Sequence, residues 1–399
     1  MENQAINRRN FLGRTTLGLL SSFIKFPRLR NQEGVPGQND KIVYRTLGKT
    51  KLKIPIVSFG VMNTDSPELV KRAIDMGIKH LDTANVYLRG NSERVIGRIV
   101  EESGKRNELY IATKMRFARD RRKGAFLPGR DGNELGATEA NFNKQLEESL
   151  QRLRTDYIDI LYLHSCYSPG MATFEPMMKA LVKAKEAGKA RFIGISTHTD
   201  EPNVIRAAVD AGIYDVILTA YNFLQEHKDE VKKAILYAAD KGLGIIAMKT
   251  QAGGKINKKT DANHRAALKW VLQDKNICTT IPGMTTFEQL ETNFDVMRDQ
   301  ALSAVEKRDL LLASQIKGTF FCQNCRSCIL TCSARAEIPV LMRASMYLES
   351  YGNRIQAINT IEQLPRRLGL KACQGCSRCT AVCPNGIEIR RRIQGLIDA

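Results

Sequence analysis

Ile158-Asp159-Ile160-Leu161-Tyr162-Leu163-His164 is an apolar run of strand length that ends on a polar side chain. An amphipathic helical stretch, Thr138–Leu153, precedes it, and another, Glu175–Ala187, follows. The same alternation extends outward from Lys41 to about Met297. The other strand candidates are Ile54–Val61, Lys79–Thr83, Leu109–Lys114, Arg191–Ser196, Val216–Tyr221, Gly244–Met248 and Cys278–Pro282. Helical patterns cover Pro67–Met76, Ser92–Glu102, Pro202–Ala211, Asp229–Asp240, Asn263–Gln273 and Phe287–Met297. Gly77, Gly188, Gly212 and Gly242 close helices in the role of a left-handed stop. Eight strand–helix units over roughly 250 residues predict an α/β fold, a (β/α)8 TIM barrel. No G-x-G-x-x-G opens a first helix, which argues against a dinucleotide-binding Rossmann unit.

Functional residues of such barrels sit at the C-terminal ends of the strands. Asp82 ends the second run, Tyr87 lies just beyond it, Lys114 ends the third and His164 ends the fourth. Singly, each has a plain structural reading: a turn cap, a rim aromatic, a solvated charge, a satisfied core histidine. At consecutive strand ends they converge on one mouth, and together they point to catalysis.

Here the chain resembles the aldo/keto reductase superfamily over roughly residues 41–297. The matching residues are Asp82-Thr83-Ala84-Asn85-Val86-Tyr87, Ala112-Thr113-Lys114, Asp159-Ile160-Leu161-Tyr162-Leu163-His164, Gly194-Ile195-Ser196 and Ile281-Pro282-Gly283. The resemblance implies a barrel that binds NAD(P)H without a Rossmann fold and acts on a small carbonyl or alcohol substrate. It implies Tyr87 as proton donor, tuned by Lys114 and Asp82, with His164 orienting the carbonyl oxygen. It assigns cofactor contacts to Ser196, which matches the family's serine at the nicotinamide carboxamide, and to Gly283, Gln289 and Asn293, in the manner of the branch that includes potassium channel β subunits. The chain departs from the family pattern at Thr197, Leu218, Met248 and Thr292. The choice between NADH and NADPH stays open.

The residue types suit the chemistry. Hydride addition to a carbonyl builds negative charge on oxygen, and a proton must arrive there. A free tyrosine, with a pKa of about 10, exchanges protons poorly near neutrality. An ammonium about 4 Å away is worth roughly 4 kcal/mol at an effective dielectric near 20, or about three pKa units. On that argument Lys114 lowers the Tyr87 pKa, Asp82 keeps Lys114 charged, and His164 donates to the forming oxyanion.

Near the end of the chain one pattern occurs twice. Cys322, Cys325, Cys328 and Cys332 read C-x2-C-x2-C-x3-C, and Cys373, Cys376, Cys379 and Cys383 repeat it, with Pro384 following. This is the bacterial ferredoxin spacing for two [4Fe–4S] clusters, in which the fourth cysteine of each run serves the other cluster. One ligand set is then Cys322, Cys325, Cys328 and Cys383; the other is Cys373, Cys376, Cys379 and Cys332. Zinc gains nothing from a third cysteine at this interval, and disulfides suit small secreted domains. Ser333 stands where the first run could have carried a proline. Cys166 and Cys278 stand alone and read as buried thiols. Helical patterns at Val340–Leu348 and Ile355–Leu364 separate the runs, so the region resembles an α-helical ferredoxin. Aldo/keto reductases with such an appendage form a recognisable group of oxidoreductases, which this chain resembles. The expected organisation is a signal and linker over 1–36, the barrel over 41–300 and a mainly α-helical ferredoxin-like domain over 301–399.

The chain has 399 residues, 43% hydrophobic content and a formal net charge of +19. Residues 318–399 hold eleven Lys/Arg against five acids, a charge that metal-bound thiolates would offset. No recognised nucleic-acid motif accompanies the charge, which argues against a nucleic-acid partner. The loop from Arg116 to Glu134 carries Arg119, Arg121, Arg122, Lys123 and Arg130. Its plain reading is a solvated loop; its functional reading is a lid that recruits an anionic substrate or partner. At the N-terminus, Arg8-Arg9-Asn10-Phe11-Leu12 resembles a twin-arginine export signal, followed by a short apolar stretch from Thr15 to Phe26. The expectation is export by that route, periplasmic or membrane-associated; the alternative is a cytoplasmic chain with a basic tail. No segment is apolar and long enough to make an integral membrane protein.

Nicotinamide moves two electrons together and each cluster moves one. A flavoprotein or quinone-linked partner is therefore expected to exchange electrons with the clusters. The rival reading is a non-catalytic redox-sensing or electron-transfer module with structural clusters.

Overall fold

A computed structural model describes residues 42–127, 136–252, 264–315 and 321–399. Eight parallel strands follow one another around a single sheet. They are β1 (Phe59–Gly60), β2 (His80–Asp82), β3 (Tyr110–Met115), β4 (Ile158–Cys166), β5 (Ala190–Thr197), β6 (Val216–Ala220), β7 (Gly244–Met248) and β8 (Ile277–Thr280). The first and last strands meet: Ser58 N–H donates to Thr280 O at 2.8 Å, and Gly60 N–H donates to Pro282 O at 3.1 Å. The sheet is thus a barrel, as the alternation of runs implies. Around it lie α1 (Pro67–Asp75), α2 (Asn91–Ser103), α3 (Glu139–Leu153), α4 (Glu175–Glu186), α5 (Glu201–Asp210), α6 (Lys228–Asp240), α7 (His264–Leu272) and α8 (Phe287–Phe294). Side-chain caps begin several of these helices. Ser66 Oγ accepts from Leu69 N–H ahead of α1, and Thr138 Oγ1 accepts from Asn141 N–H ahead of α3, both at 3.2 Å. The four glycines expected as left-handed stops all have positive φ.

The two-residue period of β4 sorts its side chains. Ile160 and Tyr162 point into the barrel with Leu218 and Ile246, while Leu161 and Leu163 face the surrounding helices. A hairpin of Tyr44–Thr46 and Lys53–Pro55 plugs the barrel floor with Leu47, which is wholly buried. At its tip Gly48 has φ +49°, and a Cβ there would stand 2.4 Å from the Gly244 nitrogen. Only glycine fits that approach. The single strand expected over Ile54–Val61 is therefore two pieces. Its first part belongs to the hairpin, where Pro55 faces Tyr44 and Ile56 N–H still donates to Val43 O at 3.0 Å, and β1 begins only at Phe59.

After the barrel, α9 (Ala304–Gln315) sets Leu310 and Ala313 against Ala266 and Ala267 of α7. Three more helices, α10 (Ile338–Glu349), α11 (Arg354–Glu362) and α12 (Ile389–Ile397), gather a separate small core around Leu341, Met342, Ala357 and Ile393. These helices lie over the barrel mouth. Asn353 Nδ2 donates to Met62 O and to Asn63 Oδ1 at 3.2 and 3.1 Å. Asn324 Nδ2 donates to Thr199 Oγ1 at 3.0 Å, and Gln323 Nε2 donates to Leu224 O at 3.3 Å. Among the described residues no helix is long and apolar enough to cross a membrane. The twin-arginine segment and Arg130 lie outside the described residues.

Candidate active site and thiol groups

The period-two alternation that fills the barrel also aims Asp82, Lys114 and His164 inward at the C-terminal ends of β2, β3 and β4. Lys114, 1% exposed, places its Nζ on Asp82 Oδ1 and donates to Thr83 O at 2.5 Å. Tyr87 follows β2 in a tight turn whose next residues, Leu88 and Arg89, both have positive φ. That conformation costs each of them roughly 1–2 kcal/mol and turns the Tyr87 ring inward. The Lys114 Nζ lies 5.0 Å from the Tyr87 ring centroid. His164 packs edge-on to the same ring, at 5.7 Å between centroids and 82° between planes. The four residues expected at the mouth are therefore together.

Their electrostatics differ from the expectation in one respect. Burial pushes Asp82 up and Lys114 down, and their mutual attraction opposes both shifts. Thr83 O, accepting a second Lys114 proton, favours the charged pair. Tyr87 is not lowered by this ammonium. Burial raises its pKa well above the usual value, with Asp82 and Tyr347 adding to the rise and Arg116 opposing it. The Lys114 charge is neutralised by Asp82, and Tyr347 of α10 lines the same cavity as the phenol. Tyr87 is accordingly held as a neutral phenol, the form able to donate a proton. Burial, then Lys114 and Arg116, hold His164 well below its usual pKa, so it is a neutral imidazole. Its Nδ1 is buried without a partner. Deeper in the barrel, both nitrogens of His80, the Tyr162 hydroxyl and Asp82 Oδ2 also lack protein partners.

One cavity of about 520 Å³ takes in Asp82, Tyr87, Lys114 and His164 together with Ser196, Gly283, Gln289 and Asn293. Ser196 Oγ accepts from Ser165 N–H at 2.8 Å, tying β5 to β4. Gly283 pairs with Gly60 across the barrel closure, where a Cβ would come within 3.0 Å of Asn63 Nδ2. Gln289 Oε1 accepts from Thr285 N–H at 2.8 Å, and Asn293 Oδ1 accepts from Gln251 Nε2 at 2.8 Å. Met248 lines the same space, and Leu218 is buried in the barrel interior. A bare glycine, a ring of amide side chains and the first turn of α8 fit a nucleotide whose phosphates need backbone donors.

The eight cysteines fall into two groups. Cys325 and Cys383 lie close enough to act on the acidity of Cys322 and Cys328; burial first, then Cys322, Cys325 and Cys383, push Cys328 up to about 12. Cys332, Cys376 and Cys379 act likewise on Cys373, which burial and they push up to about 11. Each group thus includes one thiol from the other run. Among the described residues no set of three or more His, Cys, Asp or Glu draws in tightly enough for a single ion. Four thiols grouped by charge in this way, with the fourth from the other run, are the donor set of a multi-iron cluster. The first group abuts the active site: His198, Lys249, Arg343 and Met346 line both the main cavity and a small crevice at Cys322.

Several cavity residues had no sequence signal of their own. Tyr167, His198 and Lys249 follow β4, β5 and β7, and Arg343 and Tyr347 come from α10. The basic loop gave a signal, but its solvated reading fails for part of it. Arg119–Asp120 pairs with Ala125–Phe126 as a short ribbon, which turns Arg119 and Arg121 onto the Tyr167 ring, at 5.0 and 4.9 Å from its centroid.

Comparison with known proteins agrees with this geometry. The Aldo/keto reductase family model matches residues 57–266, and a 4Fe-4S dicluster domain model matches residues 321–388. Methylglyoxal reductase DkgB of Salmonella typhi is 31% identical over 265 residues, which cover 62% of this chain and 90% of that protein. L-glyceraldehyde 3-phosphate reductase of Escherichia coli O157:H7 is 25% identical over 331 residues, covering 68% and 92%. Among solved structures, the holo form of aldo-keto reductase AKR11C1 from Bacillus halodurans superposes with a TM-score of 0.55 at 20% identity, over 69% of this chain and 97% of that one. With its barrel and its mouth residues, the molecule is an oxidoreductase of the aldo/keto reductase type. The chain belongs to the aldo/keto reductase family and carries a 4Fe-4S dicluster-type domain at its C-terminal end.

Proposed function

We propose that the protein interconverts a small aldehyde or ketone and its alcohol with NAD(P)H, and that two [4Fe–4S] clusters connect this chemistry to an external electron carrier. The observation that carries the reading is the single cavity shared by Asp82, Tyr87, Lys114, His164 and the four residues assigned to the cofactor. Two of the relatives are named as reductases of methylglyoxal and of L-glyceraldehyde 3-phosphate, which favours a small aldehyde. Bound NAD(P)H supplies the hydride, and bound clusters supply single electrons.

The chain's own residues do the rest. The neutral Tyr87 phenol gives its proton to the carbonyl oxygen. The Lys114–Asp82 ion pair turns its ammonium end toward that ring and steadies the phenolate left behind. The neutral His164 directs an N–H to the same oxygen. Ser196, Gly283, Gln289 and Asn293 hold the nucleotide, and the roof helices limit access of water. Cys322, Cys325, Cys328 and Cys383 hold one cluster, and Cys332, Cys373, Cys376 and Cys379 hold the other. The contact of Cys322 with residues of the cavity wall supports electron exchange with the site, the external carrier being a flavoprotein or a quinone-linked protein. Export by the twin-arginine route fits a chain that must acquire clusters before crossing a membrane.

Replacing Tyr87 with Phe tests the assignment. Carbonyl reduction falls by about 10²- to 10⁴-fold, the usual contribution of a general acid, while the iron–sulfur absorbance is unchanged. Wild-type turnover in the Y87F protein would remove Tyr87 from the mechanism.

A further inference from the structure

The cavity has two unlike walls. Beside β8 and α8 it is lined by Gly283, Thr285, Gln289 and Asn293, with Glu288 as its one charge. Beside β3 and β4 it is crowded by cations. Arg116 and Arg121 line it from the barrel, and Arg343 reaches it from the roof. Arg119 is adjacent, donating through Nη1 to His164 O and Ser165 O at 3.1 and 2.6 Å, while its Nη2 is buried with no partner.

Among the described residues, Arg116, Arg119, Arg121 and Arg343 have no carboxylate partner. The contrast with their neighbours is informative, because Arg122 and Arg326 both pair with Glu337, which acts on Arg121 only from beyond ion-pair distance. The like charges are felt locally. Burial, with Arg119 adding to it, lowers Arg116 to about 9. Burial raises Tyr167, but Arg121, Arg119, Arg343 and Arg116 outweigh it and bring the phenol down to about 7. Desolvated cations without a carboxylate in ion-pair contact are costly, and a guanidinium fork matches a carboxylate or phosphate in two parallel hydrogen bonds.

We infer that the substrate is an anionic carbonyl compound, whose carboxylate or phosphate is seated by Arg116, Arg121 and Arg343 while its carbonyl lies at Tyr87 and His164. This rests on the carbonyl chemistry proposed above and adds the substrate's charge. The seat draws on both parts of the chain, so α10 helps select the substrate as well as cover it. It lies on the wall away from Gly283, Gln289 and Asn293.

The test uses the full chain, anaerobically purified with its metal content verified, titrated by calorimetry with oxamate and with inorganic phosphate. Acetamide is the neutral control. At least one oxyanion binds and acetamide does not. Arg121→Gln and Arg343→Gln each weaken the anion by about 10- to 100-fold, the worth of a charge-assisted hydrogen bond, while NADPH affinity holds. Arg121→Lys, which keeps the charge and loses the fork, falls between; intact iron–sulfur absorbance certifies that the variants are folded. In turnover, the same variants lose about 10- to 100-fold more in kcat/KM on glyoxylate or glyceraldehyde 3-phosphate than on methylglyoxal. The preferred member of that pair tells carboxylate from phosphate. The inference is overturned if no oxyanion binds, if its affinity ignores the substitutions, or if Arg121→Gln weakens NADPH equally. Anion binding without turnover of any carbonyl would retire the reductase reading and keep the seat. Turnover of neutral aldehydes without anion binding would do the reverse.

Discussion

The barrel and its helical roof are held together by different means. In the barrel, Leu161, Leu181 and Ile217 are inaccessible to solvent, and one continuous apolar layer joins strands to helices. The roof has a short inventory of buried residues around Leu341, Met342 and Ala344. Beside its cysteines, Leu330 and Val382 are 89% and 63% exposed. A unit of this size with so small a core needs staples, and its thiols are the groups able to supply them. The barrel carries its own stability, whereas the roof depends on what its cysteines bind and on polar contacts with the barrel.

The largest effect that could break this contrast is removal of iron. A chelator applied anaerobically should expose the chain beyond residue 320 to limited proteolysis, with loss of the roof helices. The barrel should keep its far-ultraviolet signal and resist cleavage. A roof that stays protease-resistant without metal would mean that Leu341 and its neighbours suffice. A smaller effect is expected at the seam. Glu337 is 1% exposed and accepts from Arg122 Nε at 2.9 Å and Arg326 Nη2 at 3.2 Å. Glu337→Gln should cost about 1–3 kcal/mol, the worth of a charged hydrogen bond lost at a buried site. Hydrogen exchange should quicken in α10 and stay unchanged in β4. Equal quickening in both would show that roof and barrel open as one.

The subtlest test is spectroscopic. With its pKa brought to about 7, Tyr167 should develop phenolate absorbance as pH rises through neutrality, and Tyr167→Phe should remove that step. An acid whose folded pKa is depressed adds stability only where its charged form is present. The Tyr167 contribution is therefore absent below about 7. It grows as pH rises toward the unfolded tyrosine value of about 10. Arg343→Gln should move the titration upward, since one of the four cations comes from the roof. A Tyr167 that ionises only near the ordinary value would mean that roof and barrel do not share a charged wall.

What could be read in advance follows the same division. Apolar runs of period two, ended by glycines and caps, locate the barrel strands and most helix ends to within a residue or two. Asp82, Lys114 and His164 stand out because they interrupt apolar runs where a barrel strand must end. The roof's position has no local signature. Its contacts join residues as distant as Asn353 and Asn63, or Asn324 and Thr199, and no periodicity encodes such pairs. For the same reason the raised pKa of Tyr87 has no local signature. The ammonium of Lys114 can be inferred from the chain, but the burial of Tyr87 and the approach of Tyr347 cannot. Arg119 and Arg121 look solvated as a charge run, and only the short ribbon turns them inward.

The crossed grouping of the thiols has a consequence for maturation. Cys383 sits with the first three cysteines and Cys332 with the later three, so neither set is complete until both stretches have come together. Half-filled molecules should then be scarce: iron incorporation should proceed as an all-or-none event, with the vacant and fully charged forms coexisting and little between them.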